Sequence, residues 1–180
     1  MSKYVISIDG GKEGALSIWH KEKGIWIPDS NVIDFDAEQY KKIFDKYKGS
    51  VVIVEYVSTI YSCGGAYATM LLKSNIEFTK GLAYGLCKIY ENGNTSPNSW
   101  KSCYEGLKQP KGEKPKWDNE TKKEKAVLKA KELYPDIDIP LERVIHKKDG
   151  TERRKYKDGR ADTLLMGNAI LNIKKIDINE

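Results

Sequence analysis

Along the first sixty residues the spacing of apolar positions changes several times, and each change marks an element. Residues 4–9 (YVISID) and 13–19 (EGALSIW) are short runs rich in apolar side chains, joined by the turn sequence GGKE. They predict an antiparallel hairpin. A third strand is expected within GIWIPDSNVIDF, residues 24–35. In residues 36–49, Tyr40, Ile43, Phe44 and Tyr47 recur at helical spacing behind an acidic start, and Gly49 supplies a stop, so this segment is a helix. The unbroken apolar run of SVVIVEYV, residues 50–57, predicts a strand buried on both faces in the middle of a parallel or mixed sheet.

Farther along, the pattern turns mainly helical. Residues 66–90 carry a helical pattern in which Gly81 and Gly85 would let another element pack closely. ENGNTSPNSWK, residues 91–101, breaks the pattern and yields no strand. Residues 121–136 predict a helix opened by a capping box of Thr121 and Glu124 and closed before Pro135. The last helix is GRADTLLMGNAILNIKK, with Ala161, Leu164, Leu165, Ala169 and Ile173 as its inward stripe. No internal repeat or linker-like tract interrupts the 180 residues, which are read as one α/β domain, 1–180.

Composition narrows the function classes only a little. The net charge of +5 and the pI near 8.9 suit a polyanionic partner without requiring one. Cys63, Cys87 and Cys103 lack paired metal spacing, and His20 and His146 are too few for a zinc cluster. This usage fits a reduced, cytoplasmic setting. With no leader pattern and no apolar run of spanning length, no membrane association is expected.

Candidate chemistry lies in the carboxylates. Asp9 ends the first strand and Glu55 ends the buried strand, so if these strands are neighbours two carboxylates meet at one edge of the sheet. Asp158 and Asp162 stand four apart at the start of the last helix, where both can point from one face. Asp158 is open to two readings, helix cap or ligand. Four such oxygen donors suit Mg²⁺, and two ions sharing a carboxylate can activate a water and stabilise the leaving oxygen of a phosphodiester. That is nuclease chemistry.

The ordered set ISIDGGKEGALSIW, VVIVEYV, PNSWK followed by GL, KAVLKAKELYPD and DGRADTLLMGNA resembles RuvC-like Holliday junction resolvases, most of all the phage-type branch. The resemblance spans residues 4–172. It implies an RNase H-like fold with a central mixed five-stranded sheet flanked by helices, a homodimer, and Mg²⁺-dependent nicking of four-way DNA junctions at two symmetry-related phosphodiesters. Two Mg²⁺ ions are implied, with Mn²⁺ able to substitute. The family's catalytic and metal-binding acids fall on Asp9, Glu55, Asp162 and Asp158. The last two stand four apart here, where bacterial members have three. The resemblance also covers Lys101, expected to contact a phosphate near the metals, while Trp100 is expected to pack in the core. A cytoplasm, bacterial or phage-infected, is the implied compartment.

Two segments concentrate positive charge: residues 108–125 hold seven lysines against four acids, and residues 143–160 hold eight Lys and Arg against three. Lys111, Lys114, Lys147, Lys148, Arg153, Arg154 and Lys155 are candidate phosphate contacts whose binding would weaken with salt. Tyr61, beyond Glu55, is a candidate for stacking on a base unpaired at the crossover, worth about 1 to 3 kcal/mol. Two other readings compete. One is a non-catalytic module that binds branched DNA or structured RNA. The other, prompted by IDGG, is an actin-like phosphotransferase or ATP-binding fragment, which the chain length argues against.

Overall fold

A computed structural model describes residues 3–11, 14–57, 65–109, 112, 116–140, 143–146 and 152–178. Its centre is a mixed sheet of six strands. Strand β1 (Tyr4–Ile8) runs antiparallel to β2 (Ala15–Glu22), in a register that sets Ile6 opposite Ile18 and Ile8 opposite Leu16. Lys23 and Gly24 both take positive φ, the backbone of a tight two-residue hairpin turn, and return the chain as β3 (Ile25–Pro28). The two-residue β4 (Ile33–Asp34) also pairs with β2, opposite Ala15 and Leu16. On the other side of β1, the all-apolar β5 (Val51–Val54) is parallel to it, and β6 (Lys88–Tyr90) is parallel to β5.

Because side chains alternate across a strand, β1 and β5 feed two cores. Ile6, Ile8, Val52 and Val54 pack on one face with Tyr40, Ile43 and Phe44 of α1 (Ala37–Lys46) and with Ile76 and Ala83 of α2 (Gly65–Ala83). Val5, Val51 and Ile53 pack on the other with α3 (Pro97–Lys101), α4 (Asn119–Leu133) and α5 (Gly159–Asn168). Helix α5 continues into a π-helical turn, Ala169–Ile173. A separate two-stranded ribbon, β7 (Arg143–His146) and β8 (Glu152–Lys155), leads the chain into α5.

Several expectations need correction. The sheet has six strands rather than five, because the segment expected to hold one strand forms both β3 and β4. The helix expected through Tyr90 stops at Ala83, and β6 follows it. The capping box gives way to Asp118, whose carboxylate accepts from the Thr121 N–H at 2.7 Å, so α4 starts before Thr121. Ile173 lies outside the inward stripe, 48% exposed, because the π-helical turn rotates it away. Gly81 and Gly85 have open space where a Cβ would stand. The close approaches occur at Gly10, against Ile76 of α2, and at Gly167, against the Trp19 indole.

The α5 face also buries polar groups. Ser7, Ser17, Thr163 and the Trp19 indole are all fully buried and hydrogen-bonded to one another. Trp19 occupies the space over Gly167, so Gly167→Ala should push the indole off Ser7 and Ser17. Urea denaturation should show a loss of about 1–3 kcal/mol. An unchanged midpoint would mean that α5 docks without this contact.

Candidate active site

The hairpin turn positions the first carboxylate. Asp9 follows β1, its N–H donates to the Ala15 carbonyl at 3.0 Å, and its Oδ1 accepts from the Gly11 N–H at 3.0 Å. Gly14 lies so close to the Asp9 carbonyl that a Cβ would overlap it, so a side chain there would break the turn. Glu55 follows β5, and its N–H donates to the Ile8 carbonyl at 3.3 Å. Since Ile8 is in register with Val54, the two acids extend from adjacent parallel strands. Asp162 enters from the first turn of α5. Glu55 and Asp162 are each only 9% exposed, and Asp9 is half-buried.

These three carboxylates act on one another. Burial raises the Glu55 carboxyl well above its ordinary range, and the charges of Asp9 and Asp162 push it the same way. Burial carries Asp162 up to about 7 against the pull of Lys101, with Asp158 and Asp9 adding to the rise. Asp9 rises to about 6, again mainly through burial. The Lys101 Nζ, at the end of α3, lies 3.2 Å from Asp162 Oδ2. Burial disfavours its charge, but Asp162 and Glu55 outweigh that and hold the ammonium above its usual pKa. The other Asp162 oxygen, Oδ1, is buried without a hydrogen-bond partner among the described residues.

Asp158 occupies the N-cap position of α5 without making a capping hydrogen bond; its Oδ1 accepts from Lys123 Nζ of α4 at 2.7 Å. Arg160 fixes the start of the same helix, with a bidentate contact to Asp34 at 2.8 and 3.1 Å and a further bond to the Asp138 carbonyl at 3.0 Å. Of the expected nucleic-acid contacts, Lys101 stands in the cluster. Tyr61, Lys111, Lys114, Lys147 and Lys148 lie outside the described residues. Arg153, Arg154 and Lys155 are placed on β8 by the ribbon register.

Sequence reasoning missed three participants. Trp100, expected as core, is fully buried and also donates its indole N–H to Glu55 Oε1 at 3.1 Å. Lys123 had only the signature of a charged helix face. Thr163 accompanies Asp162 but reads as an ordinary helix residue; its hydroxyl donates to the Ser7 carbonyl at 2.6 Å and ties α5 to β1.

The cluster suits a hard cation. All its donors are carboxylate oxygens, the preference of Mg²⁺. Their mutual repulsion in a buried setting and the bare Asp162 Oδ1 are what a positive ion would relieve. Among the described residues, no three carboxylate, imidazole or thiol side chains close into a single ligand group. No protein-family model matches the sequence, and no curated protein matches it as a relative.

Raised carboxylate pKa values give the metal-free protein a definite pH dependence. The folded state takes up protons near pH 6–7, well above the ordinary aspartate value of 3.8 for Asp9 and Asp162, so these groups make the protein more stable as pH falls from 8 to 5. The Asp34 pair with Arg160 has the opposite sign and acts below this window, since its pKa is depressed. Denaturation in EDTA should show a gain of about 2–4 kcal/mol at pH 5 over pH 8. Asp162→Asn should shrink that gain by raising stability at pH 8. A flat profile in the wild-type protein would contradict the burial of these charges.

Proposed function

We propose that the protein is a structure-selective DNA endonuclease of RNase H-like fold that nicks four-way junctions. The observation that carries this reading is the convergence of Asp9, Glu55 and Asp162 from two adjacent strand ends and a helix start, with one Asp162 oxygen bare. Asp9, Glu55 and Asp162 would hold two Mg²⁺ ions, with Asp158 as a fourth donor, and when bound the ions would supply an activated water and stabilise the leaving oxygen. Lys101 offers a fixed positive charge for the scissile phosphate, kept protonated by the acids around it. Lys123 pairs with Asp158 at 2.7 Å and fixes one of its oxygens.

The resemblance also implies a homodimer, whose two-fold axis would match that of a junction. Helix α2 is our candidate interface: Met70, Leu71 and Phe78 leave about half of their surface exposed, at 56%, 45% and 51%. Duplex arms would meet the β7–β8 ribbon. Its register pairs Arg143 with Lys155, Val144 with Arg154, Ile145 with Arg153 and His146 with Glu152, so four cations lie along the two strands.

Asp9→Asn, Glu55→Gln and Asp162→Asn should each reduce cleavage by about a thousandfold or more while junction binding persists. Asp158→Asn should lose less, since Lys123 already engages its carboxylate. The assay is an end-labelled four-way junction beside a linear duplex, in Mg²⁺ and in EDTA. Paired symmetric nicks only with metal and wild-type protein are expected; full activity in any of the three variants would refute the site. Tight junction binding without cleavage in Mg²⁺ or Mn²⁺ would replace the nuclease with a binding module.

Salt dependence tests the ribbon separately. Replacing Arg143, Arg153, Arg154 and Lys155 together with Gln should flatten the slope of log K against log salt by about 3–4. An unchanged slope would take the ribbon out of the DNA contact.

A further inference from the structure

We infer that Trp100 is a positioning residue that orients both Glu55 and Lys101, one through its indole N–H and the other through its ring face. The inference rests on the nuclease reading for its catalytic consequence. The geometry is specific. Trp100 is fully buried in α3, the five-residue helix PNSWK, and its Nε1 donates to Glu55 Oε1 at 3.1 Å. The Lys101 ammonium sits 4.8 Å from the centre of the same indole and reaches Asp162 Oδ2 at 3.2 Å. Consecutive residues of one short helix thus grip the acid after β5 and the acid on α5.

Indole chemistry suits this task. Its N–H is a donor only, so Glu55 must accept from it with one particular oxygen. Oε1 thereby carries the bond to the protein, and Oε2 takes no part in it. The ring face attracts an ammonium at this distance, which confines the Lys101 side chain without neutralising its charge. Helix α3 is itself anchored: the Trp100 N–H donates to the Ser96 carbonyl at 3.1 Å, and the Lys174 Nζ donates to Ser99 Oγ at 2.6 Å. A Trp that only filled the core would need some partner for its N–H, but neither an acid of the cluster as that partner nor an ammonium over its ring.

The test separates the N–H from the bulk of the ring. Trp100→Phe removes the donor and some volume; incorporating benzothienylalanine at the same position replaces the N–H with sulfur and keeps the bicyclic shape. Mn²⁺ affinity is measured by calorimetry and junction cleavage by its kcat and KM. Both variants should bind Mn²⁺ about 10- to 100-fold more weakly. Both should lose kcat rather than KM, and the benzothienyl protein should melt with the wild type. The Trp100 indole ¹H–¹⁵N resonance should move in Glu55→Gln. Unchanged Mn²⁺ affinity in the benzothienyl protein would overturn the positioning role even if Trp100→Phe is too unstable to assay. Wild-type protein that binds no Mn²⁺ and cuts nothing would instead overturn the nuclease reading, and this inference with it.

Discussion

The fold around the candidate site depends on how α5 is locked to the first hairpin. Thr163 Oγ1 donates to the Ser7 carbonyl at 2.6 Å and Ser7 Oγ returns a bond to the Thr163 carbonyl at 2.9 Å, so strand and helix are joined by a reciprocal pair. Ser17 and the Trp19 indole complete the set from β2. All of these groups are buried, where an unpaired donor or acceptor would cost about 1–3 kcal/mol, so α5 cannot slide along the sheet without breaking several bonds at once. The lock has a positional consequence. Asp162 precedes Thr163 and Asp9 lies two residues beyond Ser7, so a polar contact in the core sets the spacing of two acids at the rim.

Electrostatics then makes the rim costly to build. Three carboxylates share a poorly solvated space that raises the pKa of each, and the charges of Asp9 and Asp162 raise Glu55 further. Two lysines compensate in part, Lys101 at Asp162 and Lys123 at Asp158. Glu55 has instead the neutral indole of Trp100 as a partner. The local arrangement therefore favours protonated acids in isolation and ionised acids beside a cation. A sequence shaped for stability alone would not keep three acids here, since apolar residues of similar volume would pack without desolvating charge.

Much of this was legible in the sequence. The apolar runs of β1, β2 and β5 and the periodicity of α1 were strong enough to place them, and the all-apolar β5 indicated an interior strand. Asp9 and Glu55 could be paired before their geometry was known because a carboxylate directly after a buried strand has few places to go. The short elements were not legible: β4 has two residues and β6 has three, too few for a period to register. They exist because β2 and β5 offer unpaired edges. The Trp100 contact was hidden for a different reason. Its donor and acceptor are 45 residues apart, and an indole in PNSWK reads first as core, which it also is. Similarly, the α4 cap was misplaced because Thr121 and Glu124 have the right spacing, while Asp118 offers the better acceptor and Glu124 is engaged by the Tyr156 hydroxyl at 2.8 Å.

The far edge of the sheet shows how the same helix is held from its other end. In β3, Trp26 turns its N–H and carbonyl away from β2, and the Asn172 side chain meets both, accepting at 3.0 Å and donating at 2.8 Å. An amide side chain thus takes the place of a further strand and leaves no open backbone pair at Trp26 for another chain to join. Asn172 can reach the edge because it lies in the π-helical turn, which widens the helix after α5. It also donates to Asn168 at 3.0 Å; Asn168 donates to the Tyr104 hydroxyl at 3.1 Å, and Tyr104 donates to the Leu165 carbonyl at 2.6 Å. Helix α5 is therefore fixed by Arg160 at its start, by the serine and threonine network in its middle and by this amide chain at its end. With three anchors along one helix, Asp162 has little freedom to relax away from its neighbours, and the repulsion at the rim is held in place by the packing of the whole sheet.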